Sequence, residues 1–312
     1  MPTSPEATHK FYFIGVTTSQ SAMVKIFPQW MAALGRSDII LEGYDCKIHD
    51  EPARYQQIVN TIKQDPLAVG ALITTHKLDL LAATRDQFDY LDPYAELCNE
   101  ISCIAKRDNK LEGYAVDPVA DGRALHSIIG DNHFKRTGGG LLCLGAGGAA
   151  TAIALYLINR PLPADRPKYF TLVDIEQARL DHVREMVNKV GTDIHFEYIC
   201  TTDPAQNDQV VASLTNGSVV INATGLGKDL PGSPVTEKVR FPKFGVVWEL
   251  NYRGERPFLQ QAQAQQKSRK LTVEDGWICF LNGWTGVLAR VLDVKIEGAL
   301  FNRLAKIAAE LR

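Results

Sequence analysis

The sequence predicts an α/β protein made of two domains. Its 312 residues exceed the usual size of one domain, and short apolar runs alternate along it with longer segments of helical periodicity. This alternation completes one α/β unit in the first third of the chain and begins again after the glycines at 138–140. We therefore expect one domain over 1–117, a second over 118–289, a cleft between them, and C-terminal helices of about 290–312 that pack back onto the first domain.

In the first domain, apolar runs and helical periodicities follow one another in chain order. Tyr55, Ile58, Val59 and Ile62 recur at helical spacing, which predicts an amphipathic helix. The polar segment 107–110 separates two apolar runs, as the turn of a hairpin does. The predicted strands are 11–16, 39–44 and 69–73, the predicted helices are 21–34, 52–63 and 78–88, and the hairpin strands are 101–106 and 111–116.

The second domain follows a connecting helix over 117–129 and shows the same alternation. Its first strand is the apolar run that ends at Gly145, and the chain closes with two strongly helical segments. The further predicted strands are 169–173, 195–199, 219–223 and 246–250, and the predicted helices are 149–160, 175–190, 275–292 and 297–311.

The most informative motif is the Gly-x-Gly-x-x-Ala turn that runs from Gly145 to Ala150. Gly145 allows a tight turn, Gly147 lets the backbone approach a pyrophosphate, and the small Ala150 lets the helix pack close to the strand. This pattern predicts a Rossmann-type NAD(P)-binding domain, and an ordinary α/β turn without a ligand is the alternative. The residues expected to contact the dinucleotide are Gly145, Ala146, Gly147, Gly148 and Ala149.

Composition narrows the class of partner to a small molecule. The net charge of -2 argues against nucleic acid, and no apolar run is long enough to span a membrane. The N-terminal segment lacks an apolar signal region, so we expect a cytoplasmic protein. The six cysteines are scattered, which predicts free thiols and no metal site. The sequence leaves open whether the protein is a monomer or a homodimer.

Lys77 and Asp117 are the candidate catalytic residues, since each follows a predicted strand and α/β folds place ligands at the carboxyl ends of strands. A lysine beside a carboxylate can exchange a proton with a substrate hydroxyl. The alternatives are a solvated surface lysine for Lys77 and a helix cap before Pro118 for Asp117.

A second turn at the end of a strand contains Asn222, Ala223, Thr224 and Gly227. Its small residues would let a nicotinamide ribose pass close to the backbone. We therefore place these four residues in the cofactor site, and a plain turn is the alternative.

Taken in order, these motifs resemble those of the shikimate/quinate dehydrogenase family from Phe11 to about Gly286. The resemblance implies that Lys77 and Asp117 are the catalytic pair and that both glycine-containing turns bind the cofactor. It also implies that Gly276 lies beside the nicotinamide ring and Tyr252 near it, and we count Tyr252 among the substrate-binding residues.

The chain departs from the family pattern where family members hold the substrate. The Ser-x-Ser-Pro motif falls on Ser21 and Met23, or on Ser19 and Ser21 after a two-residue shift, and an Asn-Thr pair becomes Ser102-Cys103. The late glutamine falls on Asn282 or the next residue. Three or four hydrogen bonds lost at about 1 kcal/mol each would weaken shikimate binding roughly 100- to 1000-fold. We therefore expect Ser19, Ser21, Ser102, Tyr252 and Asn282 to bind a cyclic hydroxy acid other than shikimate.

Asp174 carries the prediction of the cofactor. Family members that use NADP typically have Asn-Arg-Ser/Thr after the second strand of this domain, whereas this chain has Asp174-Ile175-Glu176. A carboxylate accepts hydrogen bonds from a ribose diol and repels a phosphate, which favours NAD over NADP. A helix cap is the alternative role for Asp174, and Arg179 would weaken the preference.

The leading hypothesis is an NAD-dependent alcohol dehydrogenase of the shikimate/quinate type, with Lys77 as the proton acceptor. A non-catalytic NAD-binding or regulatory module on the same fold is the main alternative. A two-domain dehydrogenase that acts on a folate-linked one-carbon unit fits the motif spacing less well.

Overall fold

The computed structural model describes residues 8–228 and 230–312, which separate into two compact units. One unit comprises the described residues up to Val116 together with Gly283–Arg312, and the other is Asp117–Asn282. Each unit contains one six-stranded sheet. Among the described residues, no helix is long and apolar enough to cross a membrane.

The sheet of the first unit is mixed and has the order β2-β1-β3-β5-β6-β4. The first three strands along the chain are parallel to one another, and the hairpin β5-β6 pairs antiparallel to β3. Its strands are β1 (His9–Gly15), β2 (Ile39–Asp45), β3 (Ala68–Ile73), β4 (Tyr90–Leu91), β5 (Cys103–Arg107) and β6 (Lys110–Tyr114).

The helices of the first unit bury their apolar faces on this sheet. In α2 the four residues at helical spacing, from Tyr55 to Ile62, are buried in a core that includes Tyr12 and Ile73. The C-terminal helix α12 returns to this unit, where the Trp30 indole nitrogen donates to the backbone oxygen of Leu304 at 2.9 Å. The helices are α1 (Met23–Ala33), α2 (Pro52–Gln64), α3 (Lys77–Thr84), α4 (Pro93–Cys98) and α12 (Gly298–Glu310).

The second unit is a doubly wound parallel sheet of order β12-β11-β10-β7-β8-β9. The order reverses between β7 and β10, the topological switch point at which such sheets bind ligands. Its strands are β7 (Leu141–Leu144), β8 (Tyr169–Asp174), β9 (His195–Cys200), β10 (Val219–Asn222), β11 (Val246–Glu249) and β12 (Thr272–Glu274). Its helices are α5 (Asp117–Ile129), α6 (His133–Thr137), α7 (Gly148–Ile158), α8 (Gln177–Val190), α9 (Pro204–Ser213) and α10 (Pro257–Arg269), and α11 (Trp277–Val291) begins in it.

The elements that the sequence did not predict are short or polar. β4 and β12 have two and three residues, too few for a periodic pattern. In α10 the glutamines are spread around the helix and hide its apolar face. The predicted helix 78–88 begins at Lys77 and continues after Thr84 as a 3-10 turn.

Candidate active site

The two glycine-containing turns of the second unit are pressed together at the switch point. Gly145 follows β7 with φ +102°, and a Cβ on it would lie 2.7 Å from the carbonyl carbon of Ala223 and 2.9 Å from the nitrogen of Thr224. Only glycine fits this position, both for its backbone angle and for the space available. The turns after β7 and β10 therefore form one continuous backbone surface.

The N-terminus of α7 has room for a phosphate group. Gly147 is the residue that precedes the helix, and a Cβ built on it would meet nothing within 4 Å. Gly148 and Ala149 are half-buried, while Ala150 is fully buried against the sheet. The backbone amides of a helix N-terminus attract anions, so this turn fits the pyrophosphate of a dinucleotide.

Asp174 is the last residue of β8, and its side chain hydrogen-bonds to the turn that follows β7. Its carboxylate is only 6% exposed. One oxygen accepts from the amide of Ala146 at 2.7 Å, and the other accepts from the amide of Glu176 at 2.9 Å. The side chain thus fixes the backbone that follows β7 and the backbone that follows β8.

The side chain of Asn222 organises the second turn. Its Oδ1 accepts from the hydroxyl of Thr224 at 2.7 Å, and the Thr224 hydroxyl accepts from the amide of Leu226 at 3.1 Å. Its Nδ2 donates to Oε2 of Glu249 at 2.8 Å. Gly227 has φ +87° and lies against Pro257, so it also needs to be glycine.

Glu249 is a residue of this site that the sequence reasoning did not include. It ends β11, is fully buried, and accepts hydrogen bonds from Asn222 and from the amide of Asn251, the latter at 2.8 Å. Burial raises the pKa of Glu249 to about 7. An acid that ends an apolar strand is the signal that singled out Asp174, and it was equally present here.

Gly276 and Tyr252 lie close to the loop that follows β11. A Cβ on Gly276 would lie 1.9 Å from the carbonyl oxygen of Leu250, so the loop and the start of α11 touch through their backbones. The ring of Tyr252 packs on Phe280 with centroids 4.5 Å apart. On the same helix, Asn282 donates from Nδ2 to the Ile278 oxygen at 2.9 Å.

In the first unit, Lys77 begins α3 directly after β3 and is half-buried. Its backbone oxygen accepts from the amide of Ile101 at 3.4 Å. The preceding His76 is buried, with Nδ1 3.0 Å from the hydroxyl oxygen of Tyr55, and burial lowers its pKa. His76 therefore anchors the loop as a neutral side chain, and Lys77 follows from a fixed backbone.

The three candidate substrate serines differ in their surroundings. The Ser102 hydroxyl is buried and accepts from the amide of Val116 at 2.8 Å, which fixes the residue before Asp117. The Ser21 hydroxyl accepts from the amide of Met23 at 3.2 Å, and Ser19 is exposed. Asp117 itself is buried as the first residue of α5.

Glu100 is a second residue that the sequence reasoning missed. Its side chain is 2% exposed and it precedes Ile101, whose amide contacts the backbone of Lys77. Burial raises the pKa of the Cys98 thiol to about 12, and the charges of Glu100 and Lys77 act on that pKa in opposite directions. A buried carboxylate and a lysine thus share one neighbourhood of the first unit.

Comparison with known proteins identifies relatives of one family. A shikimate dehydrogenase (NADP(+)) of Bacillus cereus is 30% identical over 230 residues, which are 71% of this chain and 74% of that protein. A shikimate dehydrogenase (NADP(+)) of Streptococcus gordonii is 29% identical over 213 residues, 67% and 68% of the two chains. No family model matches the chain.

Solved structures share the fold. The ligand-free 5-ketofructose reductase of a Gluconobacter species has a TM-score of 0.71 at 21% identity, over 98% of this chain and 99% of that one. The α/β fold class predicted from the sequence, with two sheets, is confirmed.

The expectation of NAD in preference to NADP is wrong. Both relatives are named for NADP(+). The physical reason lies in Asp174, whose two carboxylate oxygens already bind the amides of Ala146 and Glu176. A carboxylate held in this way shapes the backbone of the turn. Its place at the end of β8 is therefore explained without a ribose partner, and an acid at this position does not by itself indicate NAD.

Proposed function

The chain belongs to the shikimate dehydrogenase family, and on this premise we propose that it is an NADP(H)-dependent oxidoreductase acting on the CH–OH group of a hydroxylated ring or acid other than shikimate. The observation that carries the proposal is the open glycine turn at Gly147, at the switch point of a doubly wound sheet. Family membership supports an oxidoreductase of this type.

The proposed mechanism assigns proton transfer to Lys77 and Asp117. In the oxidation direction, the amine of Lys77 would take the proton of the substrate hydroxyl and become an ammonium, and Asp117 is proposed as the carboxylate of the catalytic pair. A bound nicotinamide cofactor would supply the acceptor for the hydride on the carbon that carries the hydroxyl, so that the substrate becomes a ketone. The amides at the start of α7 would hold the pyrophosphate, and the turn at Asn222 and Thr224 would support the ribose next to it.

We assign recognition of the 2′-phosphate to Arg179. It lies in the first turn of α8, directly after β8, and its guanidinium contacts the Glu176 carboxylate at 3.0 Å. Both side chains are about half exposed. A phosphate is doubly charged and accepts bidentate hydrogen bonds, so it competes well with Glu176 for the guanidinium.

The environment of the serines supports a substrate other than shikimate. The hydroxyls of Ser102 and Ser21 already accept hydrogen bonds from backbone amides, which leaves them fewer lone pairs for a ligand. The fold itself serves a different substrate in another protein, since one solved structure of this fold is named a 5-ketofructose reductase.

A substrate screen tests the proposal. Formation of NADPH or NADH would be followed with a panel of cyclic hydroxy acids and polyols, with shikimate included, and consumption of NADPH or NADH would be followed with the corresponding ketones. Turnover with NADP(H) and a compound other than shikimate is the expected result. Tight NADPH binding without turnover across the panel would favour the non-catalytic module, and shikimate as the best substrate would contradict the proposed specificity.

A further inference from the structure

We propose that Glu249 is a positioning residue that holds the two loops on the nicotinamide side of the cofactor site in register with each other. The proposal rests on the function proposed above, because it assumes that NADPH binds at this sheet edge. The carboxylate of Glu249 contacts both loops. Oε2 accepts from Nδ2 of Asn222 at 2.8 Å, and Oε1 accepts from the amide of Asn251 at 2.8 Å.

These two donors belong to different loops. Asn222 is the last residue of β10, directly before its turn, and Asn251 is the second residue of the loop that follows β11. A second bond joins the same loops, from Nδ2 of Asn251 to the backbone oxygen of Leu226 at 3.0 Å. The carboxylate therefore lies at the centre of a closed set of hydrogen bonds, with one oxygen for each loop.

The network continues from these loops to the residues expected around the nicotinamide. Asn222 holds the hydroxyl of Thr224, and Tyr252 follows Asn251 directly. The backbone oxygen of Asn251 accepts from the amide of Gly276 at 3.3 Å, next to the start of α11. A shift of Asn222 would therefore displace Thr224, and a shift of Asn251 would displace Tyr252 and Gly276.

The chemistry of Glu249 indicates a role beyond stability. Burying a carboxylate costs free energy because the charge loses its contact with water. An apolar or amide side chain of similar size at such a position often leaves the protein just as stable. The positive charge of Arg256 lowers the pKa of Glu249 by less than burial raises it, and the Arg256 guanidinium donates to the Asp275 carboxylate at 3.0 Å. A carboxylate differs from an amide here in one respect, which is that both of its oxygens accept.

Glutamine at this position cannot accept from both loops. Its amide nitrogen would face either the Nδ2 donor of Asn222 or the amide donor of Asn251, so one of the two bonds is lost. The hydrogen bonds of Glu249 join the loops after β10 and β11, whereas Gly147 belongs to the turn after β7 and precedes α7. Binding of the adenosine half of the cofactor should therefore be spared.

The test compares two probes on the full-length protein at pH 8, where Glu249 is ionised. NADPH occupies both halves of the site, whereas 2′,5′-ADP occupies only the adenosine half. For Glu249→Gln we expect the Kd of NADPH to rise about ten-fold, because displaced loops would lose a contact with the nicotinamide half worth about 1.4 kcal/mol, with the Kd of 2′,5′-ADP within twofold of wild type. Glu274→Gln, the same change on the neighbouring strand β12, is the matched control and should leave both constants unchanged.

The following results would overturn the assignment. Equal weakening of both probes would show a general loss of structure, and an unchanged NADPH affinity would show that the network does not position the loops. Glu249→Asp keeps the charge but is too short to reach both loops, and it should repeat the selective loss. If both variants fail to fold, Glu249 is structural and not a positioning residue. Wild-type protein that binds neither probe would instead refute the proposed function, and this inference with it.

Discussion

Replacing Glu249 by glutamine should change how the stability of the protein depends on pH. In the unfolded chain a glutamate loses its proton near its ordinary pKa of 4.5, whereas burial raises the pKa of Glu249 to about 7 in the folded protein. Between these pH values the folded state holds more protons than the unfolded state, so this group makes the protein less stable as the pH rises. The full pKa difference corresponds to roughly 3 kcal/mol, which is an upper bound.

The assay is urea unfolding of wild type and Glu249→Gln at pH 5 and at pH 8. Other titrating groups contribute equally to both proteins, so the difference between the two free energies of unfolding isolates Glu249. We expect the variant to gain up to about 3 kcal/mol relative to wild type between pH 5 and pH 8. A constant difference across this range would refute the reasoning, because it would mean that Glu249 titrates normally. A variant that gains stability at pH 8 while it binds NADPH more weakly would also separate the positioning role from a structural one.

Three further predictions concern the two units. Lys77→Ala should lower kcat by about 100-fold or more in the substrate assay, as removal of a general base does, while the Kd of NADPH stays within twofold. Lys25→Ala is the control, and near-normal turnover of Lys77→Ala would contradict the mechanism. Arg179→Ala should raise the KM for NADP about ten-fold through loss of a charge-assisted bond and leave the KM for NAD nearly unchanged, and equal effects on both would remove Arg179 from phosphate recognition. Gly145→Ala should lower the melting temperature more than Gly191→Ala, because both have positive φ but only Gly145 lacks space for a Cβ; equal shifts would show that the backbone angle alone matters.

Elements with a strong period were predictable from the sequence. The residues at helical spacing in α2 are buried as expected, and the apolar runs from β7 to β11 form the parallel strands of one sheet. The helix α10 was not predicted because its polar residues mask the period. A local sequence pattern therefore predicts a helix or strand only where the buried residues recur with the period of that element.

The candidate site was predictable where a backbone requirement is visible as a residue type. A glycine at position 145 indicates a positive φ and a close approach to another backbone segment. The structure has both, since Gly145 has φ +102° and packs against Ala223 and Thr224. Asp174 shows where such reasoning stops, because its position at the end of β8 was predictable but its hydrogen bonds to the backbone of the turn were not. The carboxylate binds the amide of Ala146, 28 residues earlier in the chain, and no local pattern encodes that contact.

The sequence by itself determined the alternation of strands and helices, the position of the glycine turn and the family motifs, because periodicity and backbone angles are local properties. Only the tertiary structure decided which polar groups at the strand ends remain available for ligands. The hydroxyl of Ser102 and the carboxylates of Asp174 and Glu249 each accept from segments distant in sequence. A buried acceptor binds whichever donor the fold brings to it, and burial then sets its pKa.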